Sequence, residues 1–217
     1  MLLMNKFDRM YGNLLHEQGS DVYRVGIFPG AFKPPHIGHY TTALNACKNN
    51  DKVYIFVSDK SRPLTTKPTS GKDVPDSVRY SNILKSDKYT SNLLSVKTAG
   101  VARMTSATAF RAAVSLKDKV TIAKNLPDGV DKDAVYHKLM QSNDISSETY
   151  GHISIEQTMD IWNMMRPSLL QLSGMGDDDL IIKISSPSPV KDTYDLVDQL
   201  NKSESAGNIA VDLFVGE

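Results

Sequence analysis

One stretch of the sequence combines glycines, prolines and two histidines in an order that suits phosphate chemistry: Gly30-Ala31-Phe32-Lys33-Pro34-Pro35-His36-Ile37-Gly38-His39. Gly30 allows backbone N–H groups to approach a phosphate closely, and a helix that begins within the stretch offers its positive N-terminal end to the same anion. His36 and His39 are one helical turn apart, so both imidazoles can face that anion, and Gly38 between them leaves room for a nucleotide. The stretch therefore predicts a nucleotide-binding turn, although two histidines beside a turn are often ordinary surface or core residues.

Two predicted strands and a helix position this turn. The β-rich run 22–28 leads straight into Pro29, residues 39–48 fit a helix, and residues 53–57 fit a second buried strand. Strand, loop, helix and strand form a βαβ unit, which implies parallel strands joined by a right-handed crossover. Ligands of such sheets bind at the carboxyl ends of the strands, where the predicted turn and residues 58–60 lie.

The composition excludes several classes of protein. Lys plus Arg and Asp plus Glu number 25 each in 217 residues, so no global positive field attracts nucleic acid or an anionic membrane. The single Cys47 cannot form an internal disulfide and suits a reducing compartment. The sequence has neither the apolar stretch of a signal peptide nor the ~20 apolar residues of a membrane span. We therefore expect a cytoplasmic protein that binds neither nucleic acid nor membrane.

The remaining sequence predicts further α/β structure with helical additions. Residues 4–18, within an N-terminal segment 1–20, fit an amphipathic helix, and residues 60–75 fit an exposed loop that acts as a lid or a linker. Residues 117–150 combine helical segments with a polar linker. The other predicted elements are strands at 93–97, 180–184 and 209–215 and helices at 106–116, 154–165 and 190–200. We interpret residues 1–217 as one α/β domain, in which 151–217 is an αβαβ segment.

Two motifs of the sequence resemble those of a superfamily of nucleotidyltransferases. Its hallmark G-x-F-x-P-x-H-x-G-H is shared by adenylyl- and cytidylyltransferases and is related to the HIGH motif of class I aminoacyl-tRNA synthetases. The matching residues here are Gly30, Phe32, Pro34, His36, Gly38 and His39. A second hallmark, S-x-T-x-x-R at the start of a later helix, is matched by Ser106, Thr108 and Arg111. The resemblance implies a Rossmann-like parallel sheet, the fold of HIGH-type nucleotidyltransferases.

The resemblance also implies how the site residues divide the work. His36 and His39 would contact a triphosphate and stabilise charge as the α-phosphate is attacked, whereas Ser106, Thr108 and Arg111 would hold the β- and γ-phosphates. The Arg111 guanidinium suits this because its fork donates two hydrogen bonds to phosphate oxygens. Magnesium would be held mainly by the phosphates and by water, without a dedicated protein cage. Such catalysis needs no nucleophilic side chain, because most of it is positioning and charge neutralisation.

Other residues around the motifs extend the predicted site. The expected nucleotide contacts outside the second motif are Pro29, Gly30, Ala31, Phe32 and Gly38. The basic residues that could act on the acceptor's phosphate or the leaving pyrophosphate are Lys33, Lys60, Arg62 and Arg103. For such cations a solvated surface position is the commoner role, although Lys33 within the motif is also a candidate for catalysis. Trp162 and Tyr80 could stack on a base, and are otherwise core or interface residues.

The motif leaves the substrate open between related classes. Pro34 makes the sequence more similar to adenylyltransferases, including those that act on nicotinamide mononucleotide, than to cytidylyltransferases, which commonly have Asp where this chain has Lys33. Lys33 departs from both patterns. We expect transfer of a nucleoside monophosphate from ATP, or alternatively CTP, to a phosphorylated small-molecule acceptor such as nicotinamide mononucleotide, with release of pyrophosphate. A non-catalytic nucleotide-binding module is a further alternative, an aminoacyl-tRNA synthetase is disfavoured by size, and homo-oligomer formation stays open.

The order of the segments is irregular for this superfamily. The S-x-T-x-x-R helix usually follows further αβ units, but here one convincing strand lies between Val57 and Ser106, and two αβ units come after the helix. Moving residues 151–217 to follow Gly71 makes the pattern regular. We therefore hypothesise a segmental permutation, which predicts that Ile182 and Val211 lie in the same sheet as Ile27. The alternative is that 151–217 form a separate appendage.

Overall fold

Parallel strands form the main sheet of the computed structural model, which describes residues 22–59, 62–63, 93–98, 107–141, 152–186, 188–203 and 208–215. Within these residues the sheet contains five strands: β1 (Tyr23–Gly30), β2 (Lys52–Ser58), β4 (Leu93–Thr98), β6 (Leu180–Ser185) and β7 (Ile209–Val215). Their spatial order is β4-β7-β1-β2-β6, and every pairing is parallel. Two short strands, β3 (Arg62–Pro63) and β5 (His152–Ile153), form a separate antiparallel pair. The predicted Rossmann-like α/β fold is confirmed.

Helices connect and cover these strands. The helices are α1 (Ile37–Asn49), α2 (Ala107–Ser115), α3 (Lys119–Lys124), α4 (Lys132–Met140), α5 (Ile155–Ser173) and α6 (Pro189–Asn201). A 3₁₀ turn, Asp177–Asp179, precedes β6. Helix α5 is longer than predicted: it passes through Pro167, and its buried stripe extends to Leu169. No helix within the described residues is long and apolar enough to cross a membrane. The predicted elements at 4–18 and 60–75 lie outside the described residues, apart from the short strand β3.

The two C-terminal strands belong to the main sheet. β7 lies between β1 and β4, with Val211 opposite Val25, and β6 pairs with β2, with Ile182 opposite Ile55. Ile182 and Val211 therefore share a sheet with Ile27, as the rearranged order of segments predicts. These pairings exclude a detached C-terminal unit.

Strands β1 and β2 are buried on both faces of the sheet, which explains why they read as nearly continuous apolar runs. On one face α1 and α5 pack over Phe28, Ile55 and other buried side chains. On the other face α6 packs over β1 and β2, with Val197 against Ile27 and its neighbours. Each fully buried aliphatic or aromatic side chain contributes roughly 1.5–3 kcal/mol relative to its exposed state, so these two layers stabilise the sheet.

The strand order reverses at β1. From β1 the chain runs through α1 to β2 on one side, whereas β7 and β4 lie on the other side of β1. In open parallel sheets this reversal leaves a crevice at the carboxyl ends of the two central strands. The turn after Gly30 lies there.

Candidate active site

A tightly packed turn joins β1 to α1. Phe32 has a φ of 48°, in the left-handed region that side chains other than glycine rarely adopt. Its ring packs edge-on against three aromatic rings, with centroid distances of 4.7 Å to Phe28, 5.0 Å to His39 and 5.4 Å to Trp162. A Cβ atom on Gly30 would lie only 2.6 Å from Cζ of Phe32. Glycine is therefore required at position 30 so that the Phe32 ring can fill this place.

We expect the substitution Gly30→Ala to destabilise the protein. The Phe32 ring cannot move aside without losing its contacts to Phe28 and Trp162, and overpacking of this kind costs about 1–3 kcal/mol. Urea denaturation checks the free energy of unfolding. In the background Phe32→Leu, which removes the obstructing ring atoms, Gly30→Ala should cost less, and an equal cost in both backgrounds would contradict this role.

The first turn of α1 fixes both imidazoles. His36 is the N-cap residue, and its Nδ1 accepts a hydrogen bond of 3.1 Å from the Gly38 backbone N–H. The backbone N–H of His36 in turn donates to Nδ1 of His39 at 3.3 Å. A ring nitrogen that accepts a hydrogen bond carries no proton, so each neutral imidazole bears its proton on Nε2. Both side chains are thereby held as Nε2–H donors.

Close packing also favours glycine within the histidine motif. The rings of His36 and His39 stack with centroids 3.8 Å apart. A Cβ atom on Gly38 would lie 3.1 Å from Cε1 and 3.2 Å from Nδ1 of His36. The absence of a side chain at Gly38 thus leaves space for the His36 imidazole.

Burial keeps both imidazoles neutral. His36 is 5 % exposed, and burial, reinforced by the nearby charge of Arg111, lowers its pKa to about 4. Burial also lowers the pKa of His39 well below its ordinary value, with smaller contributions from His36 and Arg111. Nε2 of His36 is buried and has no hydrogen-bond partner among the described residues. A buried donor without a partner is costly, so this N–H is suited to an acceptor brought by a ligand, such as a phosphate oxygen.

The lowered pKa values predict a loss of stability in acid. Between the ordinary histidine pKa of 6.5 and the folded value of about 4 for His36, the unfolded chain binds more protons than the folded chain. The histidine contribution is therefore fully present above about pH 6.5 and is lost as the pH falls, by on the order of 3 kcal/mol at pH 4 for His36 alone. Denaturation at a series of pH values checks this. The double variant His36→Asn/His39→Asn should flatten the profile between pH 6.5 and pH 4, and an unchanged slope would contradict the assignment.

Helix α2 brings the second motif to the histidines. The Phe110 ring lies edge-on to the His36 ring with centroids 5.9 Å apart. The neighbouring Arg111 donates a hydrogen bond of 3.2 Å to Oγ1 of Thr108, and its charge acts on both imidazoles. The two motifs, which are far apart in the sequence, thus lie next to each other in the fold. Ser106 lies outside the described residues.

The remaining predicted residues fall into different places. Lys33 is 3 % exposed, so the expectation of a solvated surface charge is wrong for it. A hydrogen bond with Ser154 and then a backbone hydrogen bond lower the pKa of Glu156, and the charge of Lys33 makes a smaller contribution. Pro29 is buried, and Ala31 is partly exposed in the same turn. Trp162 is fully buried beneath Phe32, which makes it a core residue and not a stacking surface. The structure does not describe the side chains of Lys60, Arg62, Arg103 and Tyr80.

Two polar residues at the same edge of the sheet were not predicted as site residues. Asp59 follows β2 and Ser185 ends β6, and each has a buried oxygen without a hydrogen-bond partner in the described part of the chain. Their positions at carboxyl ends of strands were the only sequence signal.

Comparison with protein families identifies the kind of domain. A family model described as Cytidylyltransferase-like matches residues 27–164, more than half of the chain, including both histidines and α2. Strands β6 and β7 lie outside the matched residues, in keeping with the unusual order of segments. Comparison with curated proteins and with solved structures gives no match. With its motif, its fold and this match, the chain belongs to the Cytidylyltransferase-like family, within the superfamily of HIGH nucleotidyltransferases.

Proposed function

We propose that this protein transfers a nucleoside monophosphate from a nucleoside triphosphate, preferably ATP, to a phosphorylated small molecule and releases pyrophosphate. The observation that carries the proposal is the buried, unpartnered Nε2 of His36, stacked on His39 and within reach of the Arg111 charge. Two neutral donors beside a fixed cation suit an anion that gains charge during a reaction. Family membership supports nucleotidyl transfer as the general kind of chemistry.

In the proposed reaction an oxygen of the acceptor's phosphate attacks the α-phosphorus of the triphosphate. The new P–O bond forms as the bond to the β-phosphate oxygen breaks, and pyrophosphate leaves with that electron pair. Nε2–H of His36 and of His39 donate to the phosphate oxygens as charge develops, and their neutral state leaves each with a proton to donate. No side chain is required as a nucleophile.

The second motif and the turn hold the triphosphate in this proposal. Arg111 and Thr108, with Ser106, bind the β- and γ-phosphates, because a guanidinium fork and hydroxyls donate several hydrogen bonds to phosphate oxygens. The turn 29–32 and Gly38 border the nucleotide. Lys33, which is buried in the same turn, is a candidate to neutralise the acceptor's phosphate or the leaving group in this proposal.

Magnesium enters with the triphosphate as part of the substrate. Within the described residues no group of three or more His, Cys, Asp or Glu side chains is placed to hold a metal ion. Magnesium commonly keeps several waters and binds to substrate phosphates, so the complex needs no protein cage.

The nucleotide and the acceptor are the finer parts of the proposal. The resemblance of the motif to adenylyltransferases supports ATP, and nicotinamide mononucleotide is the acceptor of some of these enzymes. The description of the matching family favours CTP as the second candidate nucleotide.

Pyrophosphate release tests the function. The protein is incubated with magnesium and ATP or CTP, and with nicotinamide mononucleotide or other phosphorylated acceptors. We expect release that depends on the acceptor, with the adenylylated product identified by mass spectrometry. Nucleotide binding without pyrophosphate release in the presence of any acceptor would instead support a non-catalytic module. Tighter binding of CTP in calorimetry would overturn the preference for ATP.

A further inference from the structure

Two polar atoms at the carboxyl edge of the sheet lack partners. Oδ1 of Asp59 and Oγ of Ser185 are buried, and neither has a hydrogen bond within the described part of the chain. Ser185 is 0 % exposed. Folded proteins rarely leave such atoms unpaired, because burial removes their hydrogen bonds to water and the protein provides none in exchange. These atoms therefore mark a place where a polar group of a ligand would be stabilised.

Asp59 follows the strand beside the turn that carries the histidines, and Ser185 ends the next strand along the sheet. The Asp59 backbone N–H donates to the Ser185 carbonyl oxygen at 3.2 Å, which holds the two strand ends together. Val57, two residues before Asp59, lies opposite Gly30 in the parallel register. Neighbouring strands are ~4.8 Å apart and rise ~3.3 Å per residue, so the Asp59 and Gly30 backbones are within about 10 Å of each other. One small molecule can span this distance.

The two sides of this edge differ in charge. On the side of β1 and α2, His36 and Arg111 supply donors and a positive charge. An ionised Asp59 can only accept hydrogen bonds. If the triphosphate occupies the first side, an acceptor that attacks its α-phosphate extends towards Asp59. A carboxylate there attracts a donor and repels a second anion.

We propose that Asp59, assisted by Ser185, selects an acceptor whose end remote from the attacking phosphate carries a hydrogen-bond donor, such as a carboxamide or a hydroxyl group. The same carboxylate rejects acceptors that carry a carboxylate at this end, so specificity comes from repulsion as well as attraction. The inference rests on the proposed nucleotidyl transfer for the direction in which the acceptor lies.

Matched pairs of acceptors test the inference. Nicotinamide and nicotinic acid mononucleotides differ by a carboxamide against a carboxylate, and glycerol 3-phosphate and 3-phosphoglycerate differ by a hydroxymethyl against a carboxylate. Calorimetry with magnesium and an ATP analogue that cannot be cleaved measures their binding. We expect the neutral member of at least one pair to bind about 10-fold or more tightly than its acidic partner, the usual size of one charge-assisted hydrogen bond.

Substitution assigns the preference to Asp59. Asp59→Asn should reduce the preference about 10-fold and leave the affinity for the ATP analogue unchanged, and Ser185→Ala should weaken the neutral member alone. Asp178→Asn is the matched control, since Asp178 is exposed at the opposite end of β6, and it should change neither affinity. Equal binding within both pairs, binding of no member, or an unchanged preference in Asp59→Asn would overturn the inference. A retained preference without pyrophosphate release in the wild type would contradict the proposed function alone.

Discussion

Replacement of His39 by Ala is expected to lower kcat about 100- to 1000-fold while the protein remains folded. This is the usual loss when one preorganised donor to a developing negative charge is removed. The Nδ1 of His39 also accepts a hydrogen bond from the backbone of His36, so a modest loss of stability, about 1 kcal/mol, accompanies the substitution. Steady-state pyrophosphate release measures kcat, and circular dichroism with urea denaturation confirms the fold.

Two further variants at position 39 distinguish the role of Nε2 as a donor from the role of Nδ1 in the cap of α1. His39→Asn can keep an acceptor near the position of Nδ1 but has no group at the position of Nε2, so it should remain as inactive as His39→Ala. The longer side chain in His39→Gln places an amide N–H near the position of Nε2, so this variant should recover part of the rate. His137 is exposed on α4, and His137→Ala is the matched control with unchanged kcat. Equal rates for His39→Asn and the wild type would exclude the proposed donor.

Replacement of Arg111 by Ala is expected to lower kcat/KM for the nucleotide about 100-fold or more. Each hydrogen bond from a guanidinium to a phosphate contributes about 1.5–3 kcal/mol, and two would be lost together. Arg111→Lys should restore only part of this, because an ammonium cannot reproduce the planar fork. The exposed Lys124 on α3 provides a control, and Lys124→Ala should leave kcat/KM unchanged.

The variant Arg111→Ala can also be tested through the pKa values of the histidines, without a measurement of activity. Arg111 contributes to lowering the pKa of His36 and of His39, so removing its charge should raise both pKa values towards the ordinary range. NMR titration of the imidazole resonances measures this. Unchanged histidine pKa values in Arg111→Ala would mean that the guanidinium does not lie at the histidines.

The membership of the two C-terminal strands in the main sheet could be predicted, because the order of the segments is irregular without them. Moving the strands around Ile182 and Val211 next to the first βαβ unit makes the order of segments regular, and both strands pair within the main sheet. The histidine turn was also predictable, since its residue types and spacing are rarely combined by chance. The interpretation of 1–217 as one domain extends beyond the described residues and stays a prediction.

Other features depend on contacts that local sequence does not encode. From the sequence, Gly30 and Gly38 are expected to leave space for a ligand. In the structure the Phe32 ring lies against Gly30, and the His36 ring lies against Gly38. The histidines cap α1, a role in which Ser, Thr, Asp and Asn are the usual residues, so the fixed tautomers were not foreseen. Lys33 is buried in a turn that contacts α5 through Phe32 and Trp162, and no pattern in the sequence indicates this burial.

A crystal structure with magnesium and an ATP analogue that cannot be cleaved tests most directly whether the imidazoles and Arg111 bind one triphosphate. We expect Nε2 of His36 and of His39 within about 3 Å of phosphate oxygens, and the Arg111 guanidinium on the β- or γ-phosphate. A triphosphate bound elsewhere, with Nε2 of His36 still without a partner, would contradict the proposed active site.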